Sequence, residues 1–342
     1  MRDMIPLSVL DLSFVTSGSP ASAALHASVE LARHCDRLGF ARYWLAEHHN
    51  LPSVASPAPE VMIARIAAAT DRIRVGSGGI MLPNHAPLMV AERFRMLEAL
   101  FPGRIDLGVG RAPGTDGLTA MALRRHMETR EGDEFLERLQ ELVLWDTGAF
   151  PEGHPFRRVS AMPADVALPP IFLLGSSGYS ARLAAQVGMG FAFAHHFASH
   201  DVRDAMEAYR AGFRPSPWLP RAHAILAVSA VAAETDEAAE RLASSQDLSW
   251  LRRERGEYGP LPSPDEAAAF PYRDGDRERI AANRSRAFVG SASAVSARLS
   301  AFAASVGADE IMITSAIHDQ SARRRSYELL SDAWRLRPSL AA

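Results

Sequence analysis

The sequence predicts one α/β domain over residues 1–342, folded as a (β/α)8 TIM barrel. Short apolar runs alternate along the chain with segments whose apolar residues recur at the helical spacing of three or four. Eight such strand–helix units follow one another, and the two halves of the chain do not repeat each other. A doubly wound open sheet is the alternative, but the glycine fingerprint that follows its first strand is absent.

Each predicted strand is a short, mostly apolar run. In chain order the predicted strands are 5–12, 41–46, 73–79, 105–110, 170–174, 191–194, 224–233 and 310–314.

The first predicted helix has the clearest pattern. Leu25, Val29, Ala32 and Cys35 fall on one face, and Gly39 supplies the stop. The predicted helices are 21–38, 59–69, 88–100, 132–144, 177–187, 202–212, a helix that begins over 236–245, and 321–335.

Two segments exceed the barrel pattern. Residues 146–168 precede strand five as an insertion, and residues 250–290 follow strand seven with several prolines and many charges. Because long loops in compact enzymes are commonly lids, the sequence predicts a mobile lid over 250–290. The alternative is a surface excursion with a short helix of its own.

Composition excludes several classes of protein. The only cysteine is Cys35, so an intrachain disulfide and a cysteine-rich metal site are excluded. The chain has no lysine, which excludes Schiff-base enzymes and the standard phosphate-loop nucleotidases. With a net charge of −3 and no extended basic block, no nucleic-acid partner is expected. The first apolar segment is too short and too polar for a signal peptide or a membrane span, so we expect a cytoplasmic protein without a membrane partner.

Polar residues follow the second predicted strand. Glu47, His48 and His49 end an apolar run, at the edge where such barrels do chemistry. Imidazoles have an ordinary pKa of about 6.5, so they can transfer protons near neutral pH and are poorly suited to an apolar core. The alternative for an isolated pair is one buried, hydrogen-bonded histidine and one solvated histidine.

The ends of strands three, four and five suggest a ligand that is flat and anionic. Strand three ends in Ser77, Gly78 and Gly79, where missing side chains let a flat ligand approach the backbone. Strand five runs through Gly175, Ser176 and Ser177 into a helix, whose free N–H groups suit an anion. Gly110 and Arg111 end strand four, and Arg111 can add a charge-assisted pair. Ordinary helix capping by Ser176 or Ser177 is the local alternative.

An ordered set of motifs resembles the bacterial-luciferase-like flavin-dependent monooxygenases, and most closely their alkanal-monooxygenase-like subgroup, some members of which tailor polyketides. The matching segments are LSVLD at 7–11, AEHHN at 46–50, RVGSGG at 74–79, PGRIDLG at 102–108, GRAPGT at 110–115, LGSS at 174–177 and GADE at 307–310. The resemblance covers nearly the whole chain.

The resemblance implies a cofactor and partners. Reduced FMN would be supplied by a separate flavin reductase and would react with O2 through a flavin C4a-(hydro)peroxide. The substrate would be a small organic molecule, either a polyketide or other secondary metabolite of antibiotic biosynthesis that is hydroxylated or epoxidised, or an aldehyde that is oxidised. The chain would form a homodimer through helices two and three.

The resemblance also implies roles for individual residues. The FMN phosphate would meet Arg111, Ser176, Ser177 and Tyr179, beside Gly110 and Gly175. The flavin ring would lie over Ser77, Gly78 and Gly79, with a cis peptide at Ser77–Gly78.

Two positions near the predicted ring carry the chemistry that the resemblance implies. His48 takes the position of the catalytic histidine, and Glu47 would fix its orientation. Gly110 stands where luciferases carry a reactive cysteine, so efficient light emission is not expected.

Three alternatives stay open at this point. A metal-dependent barrel hydrolase would use His48, His49, His195 and His196, but only one residue of each adjacent pair can face the barrel mouth, and no His-x-His motif marks strand one. A non-catalytic flavin-binding protein is the second alternative. The third is an oxidoreductase of the same fold that uses the deazaflavin F420.

Overall fold

The computed structural model describes residues 5–124, 134–198 and 200–337. The described strands form one parallel sheet that closes on itself, because the last strand pairs with both the first strand and β8. The strands are β1 (Leu7–Asp11), β2 (Arg42–Leu45), β3 (Arg74–Ser77), β4 (Ile80–Met81), β5 (Ile105–Gly110), β6 (Ile171–Gly175), β7 (Gly190–Ala194), β8 (Ala224–Ala233), β9 (Ala287–Ser291) and β10 (Glu310–Thr314). The predicted (β/α)8 barrel is confirmed.

Helices cover the outside of the barrel and follow its strands in chain order. They are α1 (Ala21–Leu38), α2 (Pro59–Ala67), α3 (Pro87–Leu100), α4 (Gly117–Arg124), α5 (Glu134–Thr147), α6 (Gly178–Val187), α7 (Val202–Gly212), α8 (Asp236–Glu254), α9 (Pro264–Ala269), α10 (Asp276–Arg284), α11 (Ala292–Val306) and α12 (Gln320–Trp334). The predicted start of the fourth helix, at 132, lies outside the described residues. Among the described helices, none combines the length and apolar content that crossing a bilayer requires.

The two insertions have structure of their own. Residues 146–168 contain one short 3-10 helix, Pro155–Arg158. The 250–290 segment contains the end of α8, both α9 and α10, and most of β9, which extends the sheet beside β8. Its mobility stays a prediction.

A buried charge network closes the amino-terminal end of the barrel, opposite the site described below. The Asp106 carboxylate accepts hydrogen bonds from Arg42 (2.7 Å), Arg74 (2.6 Å) and the Trp44 indole (3.1 Å). Glu310 accepts from Arg42 (3.0 Å) in the same network. Since polar side chains fill this end, ligands enter from the carboxyl ends of the strands.

Acid is expected to destabilise the fold through this network. Burial raises the pKa of Asp106, but Arg42 and Arg74 outweigh it and hold the pKa below its ordinary value. A carboxyl whose pKa is depressed by folding stabilises fully above its unfolded pKa, about 4, and loses that effect as the pH falls through its folded pKa. We therefore expect the urea midpoint to fall steeply below about pH 4.

The variant Asp106→Asn tests this expectation. It should be less stable at neutral pH, because Arg42 and Arg74 lose their counter-charge, and its midpoint should depend less on acid. Asp274→Asn is the control, because Asp274 is exposed. Equal acid dependence in the wild type and Asp106→Asn would exclude a role for the network.

Candidate active site

A cavity of about 550 Å³ opens at the carboxyl ends of the barrel strands. Its size lies within the range of small-molecule and cofactor sites. The predicted site residues that line it are His48, Gly78, Gly110, Arg111, Gly175, Ser176 and Ser177. Glu47, Ser77, Gly79 and Tyr179 lie beside it but do not form its described lining.

His48 faces the cavity directly after β2. Within the described residues its Nδ1 is buried without a hydrogen-bond partner, while its backbone N–H donates to the Ser56 carbonyl (3.3 Å). Desolvation lowers the pKa of His48, and although Glu47 opposes this effect, His49 and Arg253 add to it. The imidazole is therefore neutral near pH 7, and it belongs to a residue that lines the cavity.

Glu47 points away from His48, so the expected contact between them is not formed. Its buried carboxylate accepts hydrogen bonds from His49 Nε2 (2.8 Å), His85 Nε2 (3.0 Å) and the Met81 backbone N–H (2.8 Å). Successive residues in extended backbone face opposite sides, which separates the two side chains. Glu47 instead fixes the segment that follows β4, and it holds no direct orienting contact to the His48 ring.

Each adjacent histidine pair has one member in the cavity lining, as predicted, although after β7 the cause is a turn over residues 195–197 and not strand alternation. His196 lines the cavity, and its Nδ1 lies 3.3 Å from the Ala227 carbonyl oxygen. Burial lowers the pKa of His196 to about 4. His195 packs on the Phe302 ring at 4.8 Å, outside the cavity lining.

The chain after β3 forms a wall without side chains. Ser77 stays in the barrel, where its Oγ donates to the Gly108 carbonyl (2.8 Å). A Cβ at Gly78 would lie 2.7 Å from Leu10 and 3.0 Å from Trp44, so any larger residue there would require these neighbours to shift. The cis peptide joins Gly78 to Gly79. The predicted position, Ser77–Gly78, is therefore wrong by one residue, because Ser77 stays in the regular β2–β3 ladder opposite Leu45.

The start of α6 presents unused hydrogen-bonding groups to the cavity. Ser177 precedes the helix in extended conformation, and its side chain makes no capping hydrogen bond. Arg111 stacks on Tyr179, with its guanidinium carbon 4.7 Å from the ring centroid. Among the described residues Arg111 forms no ion pair. The Arg111 guanidinium, the hydroxyls of Ser176 and Ser177 and the N-terminus of α6 together form one part of the cavity, which we call the anion corner. This set fits the phosphate of a planar cofactor such as FMN.

The apolar interior and the far rim of the cavity were missed by sequence reasoning. The interior wall contains Leu10, Trp44 and Met312, all buried. The far rim contains Gln246 and Arg253 of α8, and Arg286 just before β9. The apolar wall could have been predicted from the side chains of β1 and β2 that alternate toward the barrel interior. A single arginine in the charged end of a helix gives no such signal for the far rim.

The metal-site alternative requires several ligand side chains that lie close together. Across residues 5–124, 134–198 and 200–337, no three His, Cys, Asp or Glu side chains come together in a way that could hold a metal ion.

Fold and site together define a barrel enzyme with an anion corner, a glycine wall and a neutral histidine at one cavity. The family model described as luciferase-like monooxygenase matches residues 5–319. The chain therefore belongs to the luciferase-like monooxygenase family, and the resemblance noted in its motifs is confirmed.

Relatives and solved structures agree with this membership. A luciferase-like monooxygenase of Escherichia coli (strain K12) is 42% identical over 328 residues, covering 96% of each chain. The N-acetyl-S-alkylcysteine monooxygenase of Bacillus subtilis (strain 168) is 35% identical and covers 96% of this chain and 98% of its own.

Two solved structures have the same fold. The crystal structure of apo-MsnO8 has a TM-score of 0.89 at 41% identity, covering 98% of this chain and 99% of its own. The oxygenating constituent of 3,6-diketocamphane monooxygenase from Pseudomonas putida, a type II Baeyer–Villiger monooxygenase in complex with FMN, has a TM-score of 0.71 at 20% identity, with 98% and 99% covered. The latter likeness concerns the fold.

Proposed function

We propose that the chain is an FMN-dependent monooxygenase that uses reduced FMN and O2 to oxygenate a small organic substrate. The observation that carries the proposal is the meeting, in one cavity, of Arg111 and Ser177 with uncommitted polar groups and of a neutral His48 with a free ring nitrogen. The FMN complex of a protein with the same fold supports the choice of cofactor.

When bound, reduced FMN supplies the two electrons that activate O2, so that one oxygen atom enters the substrate and the other leaves as water. The chain supplies the surroundings for this chemistry. Arg111, Ser176, Ser177 and the N–H groups at the start of α6 bind the phosphate. Gly78 brings backbone without a side chain to the cavity lining, where a flat ring can lie against it.

His48 and the apolar wall control protons and water. Leu10, Trp44 and Met312 exclude bulk water from the interior of the cavity, which strengthens polar interactions there. His48 is neutral near pH 7, so its free ring nitrogen can take up or return a proton during oxygen activation. Glu47 acts indirectly, by holding the segment after β4 beside the cavity.

The cofactor and the catalytic role are tested together. FMN, riboflavin and F420 are titrated into the protein, and turnover is then measured with NADH, a separate flavin reductase and candidate substrates. Thioethers such as N-acetyl-S-alkylcysteines are included because a relative is named for them, beside alkanals and polycyclic ketones. Tight F420 binding without FMN binding would favour the deazaflavin alternative, and FMN binding without any product would favour a non-catalytic flavin protein.

We also propose a homodimer, with α2 and α3 at its interface. These helices expose large apolar side chains, including Val61 (66%), Met96 (56%) and Leu100 (64%). Exposed apolar groups of this kind commonly mark an interface.

Leu100→Glu is expected to convert a wild-type dimer to a monomer, because it places a charge in the apolar contact. Light scattering coupled to size-exclusion chromatography gives the mass. Leu118→Glu is the control, because Leu118 is equally apolar and exposed but lies on α4. A monomeric wild type, or a dimer in Leu100→Glu, would contradict the proposed interface.

A further inference from the structure

The cavity carries positive charge that its own lining does not balance. Three arginines line it, Arg111, Arg253 and Arg286, and among the described lining residues there is no aspartate or glutamate. FMN has one phosphate, which the preceding assignment places at Arg111 and the start of α6. Two cations on the other part of the lining remain without a ligand.

Arg253 differs from its neighbours Arg252, in the last turn of α8, and Arg255, just after that helix. Arg252 stacks on the Phe270 ring at 5.4 Å, and Arg255 donates to the Asp276 carboxylate at 2.6 Å. The side chain of Arg253 forms no hydrogen bond or ion pair with any residue that the structure describes, and Arg253 lines the cavity. Its side chain keeps solvent contact, yet desolvation lowers its pKa. That combination is expected at the mouth of a cavity, where protein surrounds a group that water still reaches.

Polar neighbours in this region are held in place. Arg286 donates to the Ala198 carbonyl (3.1 Å) and to Asn283 Oδ1 (2.7 Å). Gln246 donates to the Ser229 hydroxyl (3.0 Å). Arg253 also acts electrostatically on His48, so the free cation lies near the proposed reaction centre.

We propose that Arg253, assisted by Arg286, binds the carboxylate of the substrate, and that the substrate is therefore an organic acid with an apolar body. A guanidinium presents paired N–H donors that match a carboxylate. The wall of Leu10, Trp44 and Met312 suits the apolar part, which would extend toward His48. This assignment rests on the proposed function, because it requires the FMN phosphate to occupy the anion corner at Arg111 and the start of α6.

Octanoate and octanamide are the probes, since they differ in charge but little in size. Both are titrated by calorimetry into protein saturated with oxidised FMN. We expect octanoate to bind about ten- to a hundredfold more tightly, the effect of hydrogen bonds to a charged group. Arg253→Gln should remove this preference while leaving octanamide and FMN affinities unchanged, and Arg253→Glu should favour octanamide.

Arg252→Gln is the matched control and should keep the octanoate preference, because Arg252 contacts Phe270 outside the cavity lining. Equal binding of both probes to the wild type would overturn the proposal. A preference lost in Arg111→Gln but kept in Arg253→Gln would overturn it as well. If FMN fails to bind, the proposed function fails, and the same probe comparison on flavin-free Arg253 and Arg111 variants still decides whether Arg253 binds the anion.

Discussion

Replacing His48 with alanine is expected to lower the yield of oxygenated product per reduced FMN consumed by about 10²–10⁴-fold, the usual contribution of a positioned acid–base group. The variant loses the neutral imidazole of a residue that lines the cavity. FMN affinity should change little, because the residues of the anion corner lie at the start of α6 and the end of β5, whereas His48 follows β2. Electrons that no longer reach the substrate should appear as hydrogen peroxide.

Product and peroxide are quantified together for wild type, His48→Ala and His195→Ala. His195 is the control, because its ring packs on Phe302 outside the cavity lining. The wild-type yield should stay constant from pH 8 down to the ordinary histidine pKa, about 6.5, since desolvation lowers the pKa of His48. Equal ratios of product to peroxide in wild type and His48→Ala would remove His48 from the mechanism.

Arg111→Gln is expected to weaken FMN binding by about ten- to a hundredfold, the loss of a charge-assisted contact to a phosphate. Riboflavin should bind wild type and variant equally, because it lacks the phosphate. Fluorescence titration gives both affinities, and Ser177→Ala should show a smaller loss in the same direction.

The riboflavin comparison separates charge recognition from general damage to the site. Arg252→Gln serves again as the control arginine and should leave both flavin affinities unchanged. If Arg111→Gln lowers the affinities for FMN and riboflavin equally, Arg111 does not bind the FMN phosphate.

Much of the barrel could be predicted, because its strands are apolar runs with clear stops. The run 105–110 and the run 224–233 match the observed β5 and β8. Helix α11 was missed because alanine and serine dominate it and blur the contrast between its faces. Strand β9 was missed because it is short and half-buried, and follows a charged segment. Helix α8 runs on to Glu254, past the predicted segment 236–245.

The site was predictable where function depends on residues at the ends of neighbouring strands. His48, Gly78, Arg111 and Ser177 lie together because parallel strands end at the same edge. Glu47 was misplaced because the alternation of extended backbone that separates His48 from His49 also separates Glu47 from His48.

The sequence indicated that the segment 250–290 lines the far side of the cavity, which is confirmed, but it did not identify the individual residues of the far rim. Arg253 comes from the end of a long helix whose path depends on tertiary packing, and its neighbours Arg252 and Arg255 have the same side-chain chemistry. Nothing in the local sequence distinguishes the arginine that enters the cavity from those that do not.

The central claim is that reduced FMN bound in this cavity transfers one atom of O2 to an organic substrate. The most direct test supplies ¹⁸O2, FMN, NADH and a flavin reductase with a panel of thioethers, alkanals and carboxylate-bearing apolar compounds, and measures products by mass spectrometry. The account predicts one ¹⁸O atom in a product, which His48→Ala loses and His195→Ala keeps. Recovery of all reducing equivalents as hydrogen peroxide, with no labelled product from any member of the panel, would contradict it.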